Sequence, residues 1–230
     1  LPDEPLIFVE VALLPEIPEA IGPLVDKKSP TVDSNQFKCA IFYSISNCQP
    51  GLRGVSMGNF LIKRVAESLK SEFPGLKTFC TLSPIPGFVE WLNTGAELPA
   101  EGVKSAILER RQECLELLDF SSESWSDRLQ SGWHPDRTSE KDKDALLSLC
   151  AIYLMYHSPK RGGNSVAKFH LGNGAKLHRI NWAGDLSKKG IKQSAGLMVN
   201  YLYDLDKVEE NHERFINGEV IHSRAVSRLI

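Results

Sequence analysis

Residues 37–82 carry the order strand, glycine-punctuated loop, amphipathic helix, strand, and this order constrains the fold of the chain more than any other feature. Residues 37–45 (FKCAIFYSI) run through several consecutive apolar positions, as a strand covered on both faces does. Gly51, Gly54 and Gly58 punctuate the loop that follows. Leu61, Val65, Leu69 and Phe73 then recur every four residues, with Ile62 and Ala66 beside them, which predicts a helix of about four turns. Pro74-Gly75 stops it, and residues 76–82 (LKTFCTL) read as the next strand. A helix that starts near Gly58 points free N–H groups and its positive dipole end back into the loop. Anions, pyrophosphate especially, bind at such ends. The glycines let the backbone approach a ligand without a Cβ in the way, and Arg53 adds a charge. No Gly-Lys-Ser/Thr follows, so this is not a Walker A loop, and the spacing is not G-x-G-x-x-G. Two readings stand at this level: an anion site, or a connection that only turns the chain.

The flanking segments extend the same pattern. Residues 6–14 (LIFVEVALL), bounded by Pro5 and Pro15, read as a buried strand; residues 16–25 can form a short helix, and 26–36 read as a loop. Over residues 100–156 the character changes. Val103, Ile107, Cys114 and Leu118 mark one helix, and Leu146, Leu147, Cys150, Tyr153 and Leu154 mark another. The polar stretch between them, with Trp125 and Trp133, can hold a third. The last third alternates Gly-rich loops with a strand over 196–203 (GLMVNYLY) and a charged helix over about 204–217. The expectation is an α/β (α+β) fold, one domain over 1–230, with a helical insertion at about 100–156 between two halves of a sheet.

The 230 residues suffice for one sizeable core, and 42% apolar with 24% charged residues is the balance of an ordinary globular protein. A net charge of only −2 provides no global field for nucleic acid or an anionic membrane. No apolar run approaches the roughly 20 residues that cross a bilayer. Cys39, Cys48, Cys80, Cys114 and Cys150 are scattered with no C-x-x-C pair, which argues against a zinc site and a secreted disulfide framework. The chain opens on Leu1 with no signal peptide, and is read as a piece of a longer protein.

Two side chains stand out as candidates for chemistry. Ser83 ends the strand of residues 76–82, and Pro84 behind it favours an extended backbone at the serine. It either meets a ligand beside the helix start or caps the turn at Gly87. His170 sits in an apolar stretch before Gly172-Asn173-Gly174, where burial can tune its proton affinity. It is either a proton-transfer group or a structural imidazole. His134, His157, His178, His212 and His222 read as surface or loop residues. The G-x-S-x-G elbow of Ser–His hydrolases is absent, and no glycosidase-like carboxylate pair stands out.

The segments 51–64 (GLRGVSMGNFLIKR), 82–88 (LSPIPGF) and 169–175 (FHLGNGA) together closely resemble the catalytic domain of malonyl-CoA decarboxylases, and the phrases at 179–182 and 196–201 strengthen the likeness. The resemblance covers nearly the whole chain in collinear order. It implies a mixed sheet of the GCN5-related N-acetyltransferase type, a catalytic pair at Ser83 and His170, and contacts to malonyl-CoA from Arg53, Gly54, Val55, Ser56, Met57, Gly58 and Asn59. It further implies lyase chemistry on malonyl-CoA giving acetyl-CoA and CO2, with no cofactor and no metal. An amino-terminal helical domain, absent from this chain, would assemble the protein, usually into tetramers. Animal members end in Ser-Lys-Leu, whereas this chain ends Ser227-Arg228-Leu229-Ile230, so a cytoplasmic location is expected. The alternatives are an acyltransferase that uses acyl-CoA as donor, and a noncatalytic coenzyme A-binding module.

Overall fold

The computed structural model describes residues 4–5, 7–49, 58–99, 102–119, 124–160 and 162–230. In chain order its elements are β1 (Ile7–Leu14), α1 (Gly22–Val25), β2 (Cys39–Asn47), α2 (Gly58–Glu72), β3 (Thr78–Thr81), β4 (Ser83–Pro84) and α3 (Phe88–Asn93). Then come α4 (Ser105–Leu117), α5 (Trp125–Gln130), α6 (Glu140–Ile152) and a π-helical turn at Tyr153–His157. The chain closes with α7 (Ser165–Gly172), β5 (Lys176–Asn181), α8 (Lys188–Ser194), β6 (Met198–Tyr203), α9 (Val208–Ile216) and α10 (Arg224–Ser227).

The strands form one mixed sheet in the order β1-β2-β3-β6-β4, with β5 also paired to β6. β1 runs antiparallel to β2 with a bulge between Glu10 and Val11; β2 and β3 are parallel, and β6 is antiparallel to β3, β4 and β5. The parallel pair requires a crossover, and α2 provides it. Ile62 and Ala66, one helical turn apart, are the buried residues of its inward face, while Val65, Leu69 and Phe73 pack partly buried at the flank. On β2, Ala40 and Phe42 join the large core on one side of the sheet, and Cys39 and Ile41 a smaller cluster on the other. This is the strand covered on both faces that its unbroken apolar run predicts.

α4, α5 and α6 fill the stretch between the two halves of the sheet, in agreement with the expected helical insertion. Trp125 opens α5 behind a capping box made by Ser124 and Asp127, and is fully buried edge-on against Trp133 at 4.7 Å. A mixed sheet with flanking helices and a helical insertion is the expected fold class. Several elements depart from the sequence reading. Only Gly22–Val25 of the 16–25 segment is helical. Residues 165–181, to which the sequence reading assigns no element, hold α7 and β5. α7 is eight residues long, too short for a helical period to declare itself. β5 interleaves Lys176, His178 and Arg179 with buried Leu177 and Ile180, which blurs its apolar signal. Among the described residues, no helix is long and apolar enough to cross a membrane.

Candidate active site

Ser83 stands just past a lapse in the ladder along β6. β3 pairs with β6 through Phe79–Tyr203 and Cys80–Leu202, and β4 pairs with the same strand through Ser83–Val199 and Pro84–Met198. Between the two pairings Leu82 N–H turns away to Phe42 O, 3.2 Å distant, in β2. Phe79, Thr81 and Ser83 share one face of the strand by period two. The hydroxyl of Ser83 does not cap the turn at Gly87: the cap of α3 has no side-chain bond. Instead Ser83 Oγ lies 2.9 Å from Thr81 Oγ1 and 3.2 Å from His170 Nε2. The turn beyond it is held from the insertion, where the Tyr153 hydroxyl donates to Pro86 O at 2.7 Å. Gly87, at φ 82°, leaves room for that hydroxyl, since a Cβ there would meet it at 2.8 Å.

α7 brings His170 to the same place. Asn164 caps the helix, its Oδ1 accepting from Val166 N at 2.9 Å and Ala167 N at 3.1 Å. Ala167, His170 and Leu171 form its buried face. The imidazole is 5% exposed and is held on three sides. Nε2 meets Ser83, Nδ1 lies 2.9 Å from Tyr203 Oη, and the ring stacks on Tyr201 at 4.8 Å and 25°. Burial disfavours the charged form and pushes its pKa down to about 3, so the ring is neutral near neutral pH. The same burial raises both Tyr201 and Tyr203 well above the ordinary phenol range, so both phenols keep their protons.

The two candidates, 87 residues apart in sequence, thus form one buried hydrogen-bonded pair. Arg53, Gly54, Val55, Ser56 and Met57 lie outside the described residues. Gly58 and Asn59 are the first described residues of α2. β2 and β3 run parallel, so their carboxyl ends point the same way, and Ser83 follows the carboxyl end of β3. A cavity of about 980 Å³ between α3, α5 and α8, lined by Val89, Leu129, Trp133 and Lys188 among others, includes neither Ser83 nor His170. The chemistry of the pair, rather than volume, marks this site.

Three partners of the pair escaped the sequence reading. Tyr201 and Tyr203 alternate along β6, and that spacing alone puts both rings on one face of a strand. Thr81 stands two residues before Ser83 and shares its face by the same rule. What the spacing could not give is the pairing of β6 with β3 and β4, which joins these faces to the underside of α7. His178 and His157 are also more enclosed than expected. His178 lies half-buried in β5, and His157 stacks on Tyr153 at 5.2 Å.

Comparison with known proteins agrees with this architecture. The family model for the malonyl-CoA decarboxylase C-terminal domain matches residues 1–230. The mitochondrial malonyl-CoA decarboxylase of Rattus norvegicus is 40% identical over 230 residues, covering 96% of this chain and 46% of the relative. That of Anser anser anser is 41% identical over 240 residues, covering 100% of this chain and 47% of the relative. The crystal structure of malonyl-CoA decarboxylase from Rhodopseudomonas palustris superposes with a TM-score of 0.78 at 44% identity, over 100% of this chain and 50% of that one. The structure from Cupriavidus metallidurans gives 0.74 at 41%, over 100% and 56%. The chain spans about half the length of the relatives it matches.

Proposed function

Since this chain belongs to the malonyl-CoA decarboxylase C-terminal domain family, we propose that it converts malonyl-CoA to acetyl-CoA and CO2 at Ser83 and His170. The observation that carries this reading is the buried Ser83–His170 contact of 3.2 Å. The reaction breaks the bond between the carboxylate and Cα. Its electron pair moves into the thioester carbonyl, giving an enolate, and a proton then adds to Cα. Each turnover therefore consumes one proton, and the thioester is its own electron sink, so the chemistry calls for no cofactor. Donors aimed at the developing enolate oxygen would supply the main electrostatic stabilisation.

A neutral His170 suits this sequence of events. It forms no ion pair with the malonyl carboxylate, which would stabilise that group against leaving. Once negative charge accumulates beside the ring, proton transfer from the Ser83–His170 unit toward Cα becomes favourable. General acid catalysis of this kind contributes about a hundredfold to ten-thousandfold. In this reading residues 53–59 hold the substrate, with the amino end of α2 facing pyrophosphate. The whole protein, with the half that its relatives carry beyond this chain, would work as a homo-oligomer, a tetramer by family likeness.

Incubation with malonyl-CoA alone tests the proposal. Stoichiometric acetyl-CoA and CO2 without any acceptor is the expected result. An acyltransferase would release coenzyme A only when an amine is added, and a noncatalytic binding module would leave the thioester intact.

A further inference from the structure

Thr81 is completely buried, and its bonding is unusual for a strand residue. The β3–β6 and β4–β6 pairings share one register, yet the ladder lapses at Thr81 and Leu82. There the backbone N–H of Tyr201 donates to the side chain of Thr81, reaching Oγ1 at 3.2 Å. The Thr81 carbonyl accepts from Asn200 Nδ2 at 2.8 Å. A backbone N–H can only donate, so it occupies one lone pair of Oγ1 and pins that oxygen in place. Branching at Cβ restricts the torsion further. Ser83 Oγ stands 2.9 Å from the same oxygen, placed to donate to its remaining lone pair.

The consequence reaches His170. Serine has a single proton to give. With that proton directed at Thr81, Ser83 Oγ meets His170 Nε2 as an acceptor, so the hydrogen of the neutral ring sits on Nε2. Nδ1 is then bare and accepts from the Tyr203 hydroxyl at 2.9 Å. We infer that Thr81 is a positioning residue: it sets the direction of the hydrogen-bond chain Tyr203–His170–Ser83–Thr81 and thereby the tautomer of His170. This arrangement keeps the serine proton away from the histidine, so the resting serine is not poised as a nucleophile. It keeps a transferable proton on the ring nitrogen that faces Ser83. The kinetic part of the inference rests on the decarboxylase reading above; the tautomer does not.

Nitrogen-15 NMR of labelled histidine in the whole chain tests it, with His170→Gln identifying the resonances of this ring among the six histidines. The wild type is expected to show protonated Nε2 and bare Nδ1. Thr81→Ser keeps the hydroxyl, and should keep both that tautomer and a near-normal kcat. Thr81→Val removes the acceptor, frees the Ser83 proton to turn to Nε2, and should move the ring hydrogen to Nδ1. With it kcat on malonyl-CoA should fall about tenfold, the effect of one neutral hydrogen bond. A wild-type ring protonated on Nδ1 overturns the inference even if Thr81→Val does not fold. So does a folded Thr81→Val protein that retains the Nε2–H tautomer or an unchanged kcat. If the wild type shows the expected tautomer but makes no acetyl-CoA, the proposed activity fails and the assignment of the tautomer stands.

Discussion

Ser83 and His170 are each almost enclosed, at 5% exposure, and each satisfies the other, so substitution at either acts on folding as well as on the proposed chemistry. Ser83→Ala removes the partner of both Thr81 Oγ1 and His170 Nε2, and leaves a buried ring nitrogen unsatisfied. Such an orphan costs about 1–3 kcal/mol of stability, so a lowered urea midpoint is expected. The activity of the protein that remains folded separates the roles. If Ser83 contacts the malonyl carboxylate, a bond to a charged group is lost, and kcat/KM should fall roughly tenfold to hundredfold. A Ser83→Ala protein with a lowered midpoint and wild-type kcat/KM would confine the serine to a structural role.

Two elements meet at the turn after Ser83, and neither belongs to the sheet. The π-helical turn at Tyr153–His157 ends α6, and such turns insert one extra residue that re-aims the side chains after it. Here Tyr153 packs against Phe88 and Trp91, with ring centroids 5.6 and 5.3 Å away, while its hydroxyl holds Pro86 O. The helical insertion thereby clamps the segment that carries the serine. Tyr153→Phe keeps the packing and deletes only the bond. We expect a loss of about 1 kcal/mol in urea unfolding, the net worth of one such bond. Turnover should also decrease, because the serine turn loses its tether. Unchanged kcat in the folded variant would show that the turn holds its place by packing alone.

At the scale of the whole molecule the buried imidazole couples folding to pH. His170 has a pKa of about 3 in the folded chain against 6.5 for the exposed ring. The unfolded chain therefore binds a proton that the folded chain refuses. Stability from this group is complete above about pH 6.5 and is lost as pH falls toward about 3. The slope approaches about 1.4 kcal/mol per pH unit between those limits. His157 and His178 shift the same way through burial, so the comparison must be made against a variant. Urea unfolding of wild type and His170→Gln from pH 7 to pH 4 should give curves that converge as pH falls, the wild type declining more steeply. Parallel curves would mean that the ring accepts a proton in the folded state at ordinary cost.

Much of this was legible in the residues. The unbroken apolar run of residues 37–45, the four-residue recurrence from Leu61 to Phe73 and the stop at Pro74-Gly75 are local signals, and β2, α2 and β3 follow them. Local too is the propensity of residues 196–203, which became β6. These patterns arise because burial of one face is imposed residue by residue along a strand or helix. Ser83 and His170 could be singled out, but whether each was structural or functional could not be decided from their own neighbourhoods. That depends on contacts across 87 residues: β6 laid against β3 and β4, and α7 placed so that His170 meets Ser83, Tyr201 and Tyr203. The sequence determined the periodic elements and the candidate residues. Only the tertiary structure decided the neutral state of His170 and its bonding to Ser83 and Tyr203, because desolvation and hydrogen bonding are set by whatever packs around a side chain, and not by the residues beside it in the chain.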